Sequence, residues 1–475
     1  MLSQTHEFQV VVLGTGPAGQ KAAIQAAKQG RQVAIVEMQT HAGGACVQYG
    51  TIPSKTLREA ALALLAFKRR SAGCYQVEAR EELKIQSLMK RLDQVVSAHQ
   101  ATSRDQLGRN GVTLFHGRGR FIDPRTIEIV QAGGRCLHLR SDLVVIATGS
   151  RPRTPDGIPV DHTQVLDSDS ILSLNYLPES LTVLGSGVIA CEYASIFATL
   201  GVKVTIADSA SRPLAFIDPE LSGRFADSFA ASGGTFLGNR KYKSVEPDGV
   251  ATVTVRFDDG SAVTSEKLFV ALGRLANVQD LRLDVAGVRT TPRGHIEVDE
   301  NLRTSAQHIY AAGDVIGPPA LAASSMEQGR RAICHALGLP LGNSPEMIPI
   351  GIYTIPEISS VGLSEADARQ RFGDVLIGRA PFCEVARGQI AGIEDGFLKL
   401  ITDPVGRRLL GVHIVGEGAA DLISVGQMAL LAGFEVDAFV DNIFNFPTLT
   451  EGYRVAALDV VRQRVRLAAG VLTTA

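Results

Sequence analysis

Phe8-Gln9-Val10-Val11-Val12-Leu13 runs without a break into Gly14-Thr15-Gly16-Pro17-Ala18-Gly19. The first six residues are mostly apolar and β-branched, as in a strand buried on both faces of a parallel sheet. The next six form a glycine-rich turn, and an alanine-rich helix is expected from Gln20 to Gln29. A second strand is expected over 32–36, ending at Glu37. Strand, GxGxxG, helix, strand and acid, in that order, make the fingerprint of a dinucleotide-binding βαβ unit. Gly14 permits the tight turn, Gly16 lets the backbone approach a pyrophosphate, and Gly19 allows close packing of helix on strand. The helix N-terminus offers unpaired N–H groups and partial positive charge to the phosphates. Glu37 stands where a carboxylate can accept hydrogen bonds from ribose hydroxyls.

The pattern returns. Leu181-Thr182-Val183-Leu184 leads into Gly185-Ser186-Gly187-Val188-Ile189-Ala190, a helix through Leu200, and a strand over 203–207 that ends at Asp208. From position 14 to 37 and from 185 to 208, first glycine and acid are 23 residues apart each time. Ala190 takes the last glycine's place, which need only be small. A lone GxGxxG is a weak signal, but two copies, each with its strand, helix and acid, are specific. Two such sites suggest a flavin such as FAD, which can hold a hydride, facing a mobile NAD(P).

The 475 residues suggest about three domains. With 45% hydrophobic and 20% charged residues the chain matches soluble globular proteins and excludes disordered or fibrous classes. The 47 basic and 49 acidic residues leave a net charge of −2, so no overall field draws nucleic acid or anionic lipid. Lys68-Arg69-Arg70 and Arg462, Arg464 and Arg466 read as solvated helix faces. Six cysteines (46, 74, 136, 191, 334 and 383) form no CxxC pair and no zinc spacing, and His308 and His413 lack ligand spacing, so no metal is expected. The N-terminus has no secretory pattern, and no segment nears the roughly 18 apolar residues of a membrane span. A cytoplasmic setting is expected. Residues 54–110 read as helical with an interruption near 73, and residues 111–150 as short strands. From about 345 the character changes, with strand-like Leu398 to Val415 followed by long helices.

Beyond the two fingerprints, Ala147-Thr148-Gly149 and the run TSAQHIYAAGD from Thr304 to Asp314 extend the pattern. With these the chain resembles the FAD-dependent pyridine nucleotide-disulfide oxidoreductases, the family of dihydrolipoamide dehydrogenase, glutathione reductase and mercuric reductase. The resemblance covers essentially the whole chain. It implies an α/β fold with two Rossmann-like domains and a C-terminal α+β dimerisation domain. Residues 1–150 and 278–345 would bind FAD, 151–277 would bind NAD(P), and 346–475 would form the interface of a homodimer or higher oligomer. The cofactor-binding positions it implies are Gly14, Gly16, Gly19, Glu37, Gly44, Gly119, Thr148, Gly149, Gly185, Gly187, Asp208, Gly273, Asp314 and Ala322.

Two positions depart from the disulfide reductases. Their redox cysteines lie five apart in GGxCxxxGCIPSK; here Cys46 is present, but the second position is Thr51. A hydroxyl cannot exchange with a disulfide. Their acid–base motif HPTxxE reads Phe446-Pro447-Thr448-Leu449-Thr450-Glu451, and phenylalanine moves no proton. Both losses fall in the thiol half-reaction. The combination resembles the soluble pyridine nucleotide transhydrogenases, a branch also matched at 167–172, 187–197, 351–362 and 453–458. The resemblance implies hydride exchange between NADPH and NAD+, with NAD(H) and NADP(H) as substrates and FAD as carrier. It makes Lys55 and Glu192 an ion pair at the flavin and places Cys46 against the ring. Asp208 favours NAD(H) over NADP(H), with Arg212 a candidate phosphate contact. Thr448 and Glu451 fit a capping box. Three other readings stand beside this one: a dihydrolipoamide dehydrogenase-like enzyme, an NADH-specific diaphorase or quinone reductase, and a flavin-loaded binding or scaffolding protein. No cysteine pair follows Cys383, which disfavours mercuric reductase.

Overall fold

The computed structural model describes residues 5–71, 85–342, 347–393 and 395–470, and counts below refer to these. Cys74, the interruption near 73 and the side chains of Lys68-Arg69-Arg70 lie outside the described residues.

The opening strand, Thr5–Leu13, pairs in parallel with Val33–Glu37 on one side and Cys136–Ile146 on the other. Its side chains alternate between two cores, as the strand period requires. Val10 and Val12 pack with Ala18, Ala22, Ala23 and Ala26 of the helix Pro17–Lys28. Val11 and Leu13 face Phe121, Ile127 and Ile146 on the opposite side. Alanines along the helix let it lie close to the sheet. The helix begins at Pro17 rather than Gln20, because proline's fixed φ suits the first helical position. Thr113–His116, Arg118–Asp123, Thr126–Val130 and Ile309–Ala311 complete a seven-stranded sheet. The late strand Ile309–Ala311 pairs in parallel with Cys136–Ile146, so chain beyond residue 300 returns to the first sheet.

The second unit repeats the design. Ser180–Leu184 pairs in parallel with Lys203–Ala207 and Lys267–Val270 in a five-stranded sheet. Leu181 and Val183 pack on Ala190, Ala194 and Phe197 of the helix Val188–Thr199. On the other face Leu184 and Ala207 meet Val253, Val255 and Phe257 of a three-stranded antiparallel sheet. Ser150–Pro152 and Arg274–Ala276 form a two-stranded antiparallel crossing between the units.

The third unit is a five-stranded antiparallel sheet, including Phe397–Thr402 and Leu409–Val415, backed by the helices Ala419–Ala432 and Gly452–Ala468. It docks on the second unit through Lys399, which is 1% exposed in its side chain. The Lys399 ammonium lies 2.9 Å from Asp218, 2.9 Å from Glu220 and 2.7 Å from Glu365. Stripping one partner from such a buried cluster costs about 3–5 kcal/mol, because the remaining charge stays buried. Among the described residues, no helix is long and apolar enough to cross a membrane.

Candidate functional site

At the first loop Gly14 has φ +101°, and a Cβ there would lie 2.3 Å from the Ala147 carbonyl oxygen. A Cβ on Gly19 would lie 1.9 Å from the Gly14 oxygen, so helix and turn touch backbone to backbone. Gly16 faces open space and caps a helix that has no side-chain cap. Its first N–H groups are therefore free for an anion. Gly44 packs against the turn, since a Cβ on it would sit 2.7 Å from the Gly16 Cα. Glu37 is buried, and the loop holds its carboxylate. The Thr15 N–H donates to Oε2 at 3.1 Å, the Thr15 hydroxyl donates to the same oxygen, and the Gln39 N–H donates to Oε1 at 2.8 Å. An open glycine cradle, free N–H groups and a fixed carboxylate suit the phosphates and ribose of a dinucleotide.

Other expected positions gather around this loop in different ways. Thr148 donates its hydroxyl to the Asn277 carbonyl at 2.7 Å, and Gly149 follows at φ +70° with open space beside it. Asp314 accepts a hydrogen bond from Ser150 Oγ at 2.7 Å. Ala322 opens the helix Ala322–Ala336, which also lacks a side-chain cap. That helix lies against the first one at Gly329, where a Cβ would meet the Ala18 oxygen at 2.0 Å. Gly119 packs against the sheet, its would-be Cβ 3.0 Å from the Leu13 side chain.

The helix Gly44–Gln48 carries Cys46, and Thr51–Ser71 carries Lys55. Lys55 Nζ lies 2.6 Å from Glu192 Oε2, joining positions 137 residues apart. The Glu192 side chain is 6% exposed and that of Lys55 25%, so the pair is partly desolvated. Cys46 hydrogen-bonds with Thr51, and Lys55 and Asp314 act on it electrostatically. Burial raises the thiol's pKa above 9.0, against the opposing pull of Thr51 and Lys55. Among the described cysteines none is in a disulfide.

At the second loop Gly185 has φ +104°, with the Ala271 oxygen 2.6 Å from its would-be Cβ. Gly187 again faces open space and caps the next helix without a side-chain cap. Ala190 is buried in the helix–sheet contact. Asp208 accepts from Ser186 Oγ at 2.9 Å, the Ala210 N–H at 2.9 Å and Ser209 Oγ at 3.2 Å. Arg212 donates from Nη2 to the Ala215 and Ile217 carbonyls at 2.7 and 3.0 Å, while its Nη1 is buried without a hydrogen-bond partner among the described residues.

Gly187 lines a cavity of about 230 Å³, together with Ser168, Val188, Gly273 and Arg274. Arg274 donates to Ser150 Oγ at 2.8 Å and Ser168 Oγ at 3.2 Å. Asp314, Ser150, Arg274 and Ser168 thus form a hydrogen-bonded chain between the two loops. Sequence reasoning missed Ser150 and Arg274. Their nearest signal was the glycine at 273 (φ +102°), which aims the next residue.

In the third unit Thr448 and Glu451 form the expected capping box ahead of the helix Gly452–Ala468. Phe446 is 74% exposed, with Ile443, Met428, Leu431 and Phe434 also exposed in this unit. His413 is buried with Nε2 2.9 Å from the Leu363 carbonyl, and burial lowers its pKa. His308 Nε2 lies 2.7 Å from the Pro124 carbonyl.

The sequence matches the pyridine nucleotide-disulphide oxidoreductase family over residues 8–329 and that family's dimerisation domain over 348–457. The chain is 43% identical over 458 residues to the soluble pyridine nucleotide transhydrogenase of Mycobacterium bovis BCG, covering 96% of this chain and 98% of that one. It is 40% identical to the protein of the same name from Pseudomonas fluorescens, with the same coverage. Its fold is similar to the HOCl-induced flavoprotein disulfide reductase RclA of Escherichia coli, solved as a Cu(II) complex. That match has a TM-score of 0.87 and 26% identity, and covers 95% of this chain and 99% of RclA.

Proposed function

The chain belongs to the pyridine nucleotide-disulphide oxidoreductase family, and we propose that it is an FAD-dependent transhydrogenase moving hydride between NADPH and NAD+. The observation that carries this reading is a complete pair of dinucleotide loops joined to a thiol half-site that lacks its second cysteine and its histidine. Positions 51 and 446 are Thr and Phe. FAD, when bound, supplies a two-electron carrier able to take a hydride from one nicotinamide and yield it to another.

The protein's own residues bind, orient and supply charge. The cradle of Gly14, Gly16, Gly19, Gly44 and Glu37 holds the FAD pyrophosphate and ribose, with Gly119, Thr148, Gly149, Asp314 and Ala322 completing that side. Gly185, Gly187, Asp208 and Gly273 receive the nicotinamide nucleotide. Lys55, fixed by Glu192, is the cation that favours the electron-rich reduced carrier. Cys46 keeps its proton, because burial holds the thiol above its ordinary range. We assign residues 1–150 and 278–345 to the FAD domain, 151–277 to the NAD(P) domain and 346–475 to a homodimer interface, in a cytoplasmic enzyme. The exposed apolar residues of the third unit support that interface.

Asp208 favours a second reading, oxidation of NADH alone, because its carboxylate repels a 2′-phosphate. An anaerobic assay separates the readings. Purified, FAD-loaded protein should reduce an NAD+ analogue with NADPH as donor, and dihydrolipoamide in a parallel cuvette should give no turnover. Turnover with NADH and a quinone but none with NADPH would establish the second reading, and rapid turnover with dihydrolipoamide would overturn both.

A further inference from the structure

The Lys55 ammonium is held from three directions. Glu192 Oε2 accepts from it at 2.6 Å and Ser54 Oγ at 3.3 Å, while the Tyr353 ring lies with its centroid 4.7 Å from Nζ. Tyr353 follows directly after the strand Ile350–Ile352, in a different unit from Lys55. Its backbone N–H donates to Glu192 Oε1 at 2.8 Å. One residue therefore acts on both members of the ion pair: through its ring on the cation, and through its backbone on the carboxylate.

The segment around Tyr353 is tied to the same two helices that carry the pair, about one turn further along each. Arg58, three residues past Lys55, donates from Nε to the Thr354 carbonyl at 3.0 Å and pairs with Glu357 at 3.0 Å. Ser195, three residues past Glu192, accepts the Ile355 N–H at 3.1 Å. The Arg58 and Glu357 side chains are 5% and 9% exposed, so this anchor is largely dry. An aromatic face attracts a cation through its quadrupole but, unlike a carboxylate, leaves the charge whole. Glu192 and the ring together restrict where the ammonium rests.

We propose that Tyr353 is a positioning residue, whose ring and N–H together fix the Lys55 ammonium at the flavin site. This rests on the reading of Lys55 as the cation that favours reduced flavin. Under a purely space-filling role, any side chain of similar bulk would serve.

Tyr353→Met keeps most of the volume without the π face, and Tyr353→Phe keeps the face without the hydroxyl. Two readouts need no nicotinamide: the midpoint potential of the bound flavin by dye equilibration, and acetylation of Lys55 by acetic anhydride followed by mass spectrometry. In Tyr353→Met the reduced flavin should be favoured about tenfold less, a fall of about 30 mV for a two-electron couple. Lys55 acetylation should rise severalfold, and Tyr353→Phe should restore both values toward wild type. An unchanged potential and unchanged acetylation in Tyr353→Met would overturn the proposal, as would equal defects in the Met and Phe variants. If Tyr353→Met does not retain FAD, acetylation is compared among flavin-stripped wild type, Phe and Met proteins. The same order is expected there, and equal labelling overturns the proposal. Lys55→Met with an unchanged potential would instead refute the role given to Lys55. A failed transhydrogenase assay with the Tyr353 shift intact would refute the function alone.

Discussion

The two glycine loops share a sequence pattern and a backbone, yet they sit in different surroundings. At the first, Gly44 packs against Gly16, a second helix presses on the loop's own helix at Gly329, and the acid Glu37 is buried. At the second, Gly187 opens on a cavity of about 230 Å³, and the acid Asp208 is half-buried. The fingerprint fixes how a phosphate is met. What packs over the loop fixes how easily the nucleotide leaves. A loop braced by neighbouring segments suits a retained cofactor such as FAD, and one beside a cavity suits a nicotinamide that exchanges at every turnover.

The strongest way to break this contrast is to damage each loop identically. Gly14→Ala and Gly185→Ala both place a side chain at a left-handed φ, with carbonyl oxygens 2.3 and 2.6 Å from the new Cβ. Such strain costs about 1–3 kcal/mol before the clash is counted. Gly14→Ala should purify without yellow colour, whereas Gly185→Ala should keep its FAD and lose rapid reduction by NADH. Flavin absorbance and stopped-flow reduction read the two outcomes. If Gly185→Ala sheds its flavin as Gly14→Ala does, the loops are not specialised.

Lys55 pairs with Glu192, on the helix that follows the second loop, and sharpens the comparison by one step. Lys55→Met should retain FAD but slow flavin reduction roughly 10²-fold, the scale expected for removing a preorganised charge. The apparent affinity for NADH should change little, since Lys55 pairs with Glu192 and not with the second loop. Wild-type reduction rates in Lys55→Met would make the pair a structural link between helices.

The contrast also shows what could be read from the chain and what could not. Both loops, their acids and the strand–helix order were legible because they are local, each an apolar strand, a glycine turn and a helix with the acid 23 positions past the first glycine. The Lys55–Glu192 contact was reached through resemblance. Arg274, Tyr353 and the Arg58–Thr354 contact, 296 residues apart in sequence, were not legible, because no periodicity encodes a junction between units. Lys399 was not read either, although a lysine inside the apolar strand Phe397–Thr402 is a signal for a buried partner. Arg212 stays a candidate phosphate contact: its Nη2 is taken by the loop's own carbonyls, while its Nη1 is buried without a hydrogen-bond partner among the described residues.

Discrimination against the 2′-phosphate at the second loop is expected from Asp208. Asp208→Asn should lower KM for NADPH more than for NADH, changing their ratio roughly fivefold, about 1 kcal/mol of like-charge repulsion at a half-buried site. The Ala210 N–H can still donate to the asparagine oxygen and the new amide can donate to the Ser186 hydroxyl, so the loop should keep its shape. Steady-state kinetics with both donors decide the matter. Equal changes for NADPH and NADH would remove Asp208 from coenzyme choice.

The smallest effect is expected at Cys46, where it tests how dry the enclosed side is. Burial is the largest influence on this thiol and raises its pKa above 9.0, while the Thr51 hydrogen bond and the Lys55 charge pull the other way. The thiolate is the reactive form, so alkylation by iodoacetamide should be slow at neutral pH and still climb as the pH passes 9.0. Exposed Cys383 serves as an internal reference for reagent quality in the same mass-spectrometric digest. Lys55→Met should move the Cys46 inflection higher still, because it removes one of the two opposing pulls. An inflection well below the ordinary thiol range would mean that the Lys55 field outweighs burial. In that case the first loop would be wetter and more open to charge than its packing implies, and the contrast with the second loop would shrink accordingly.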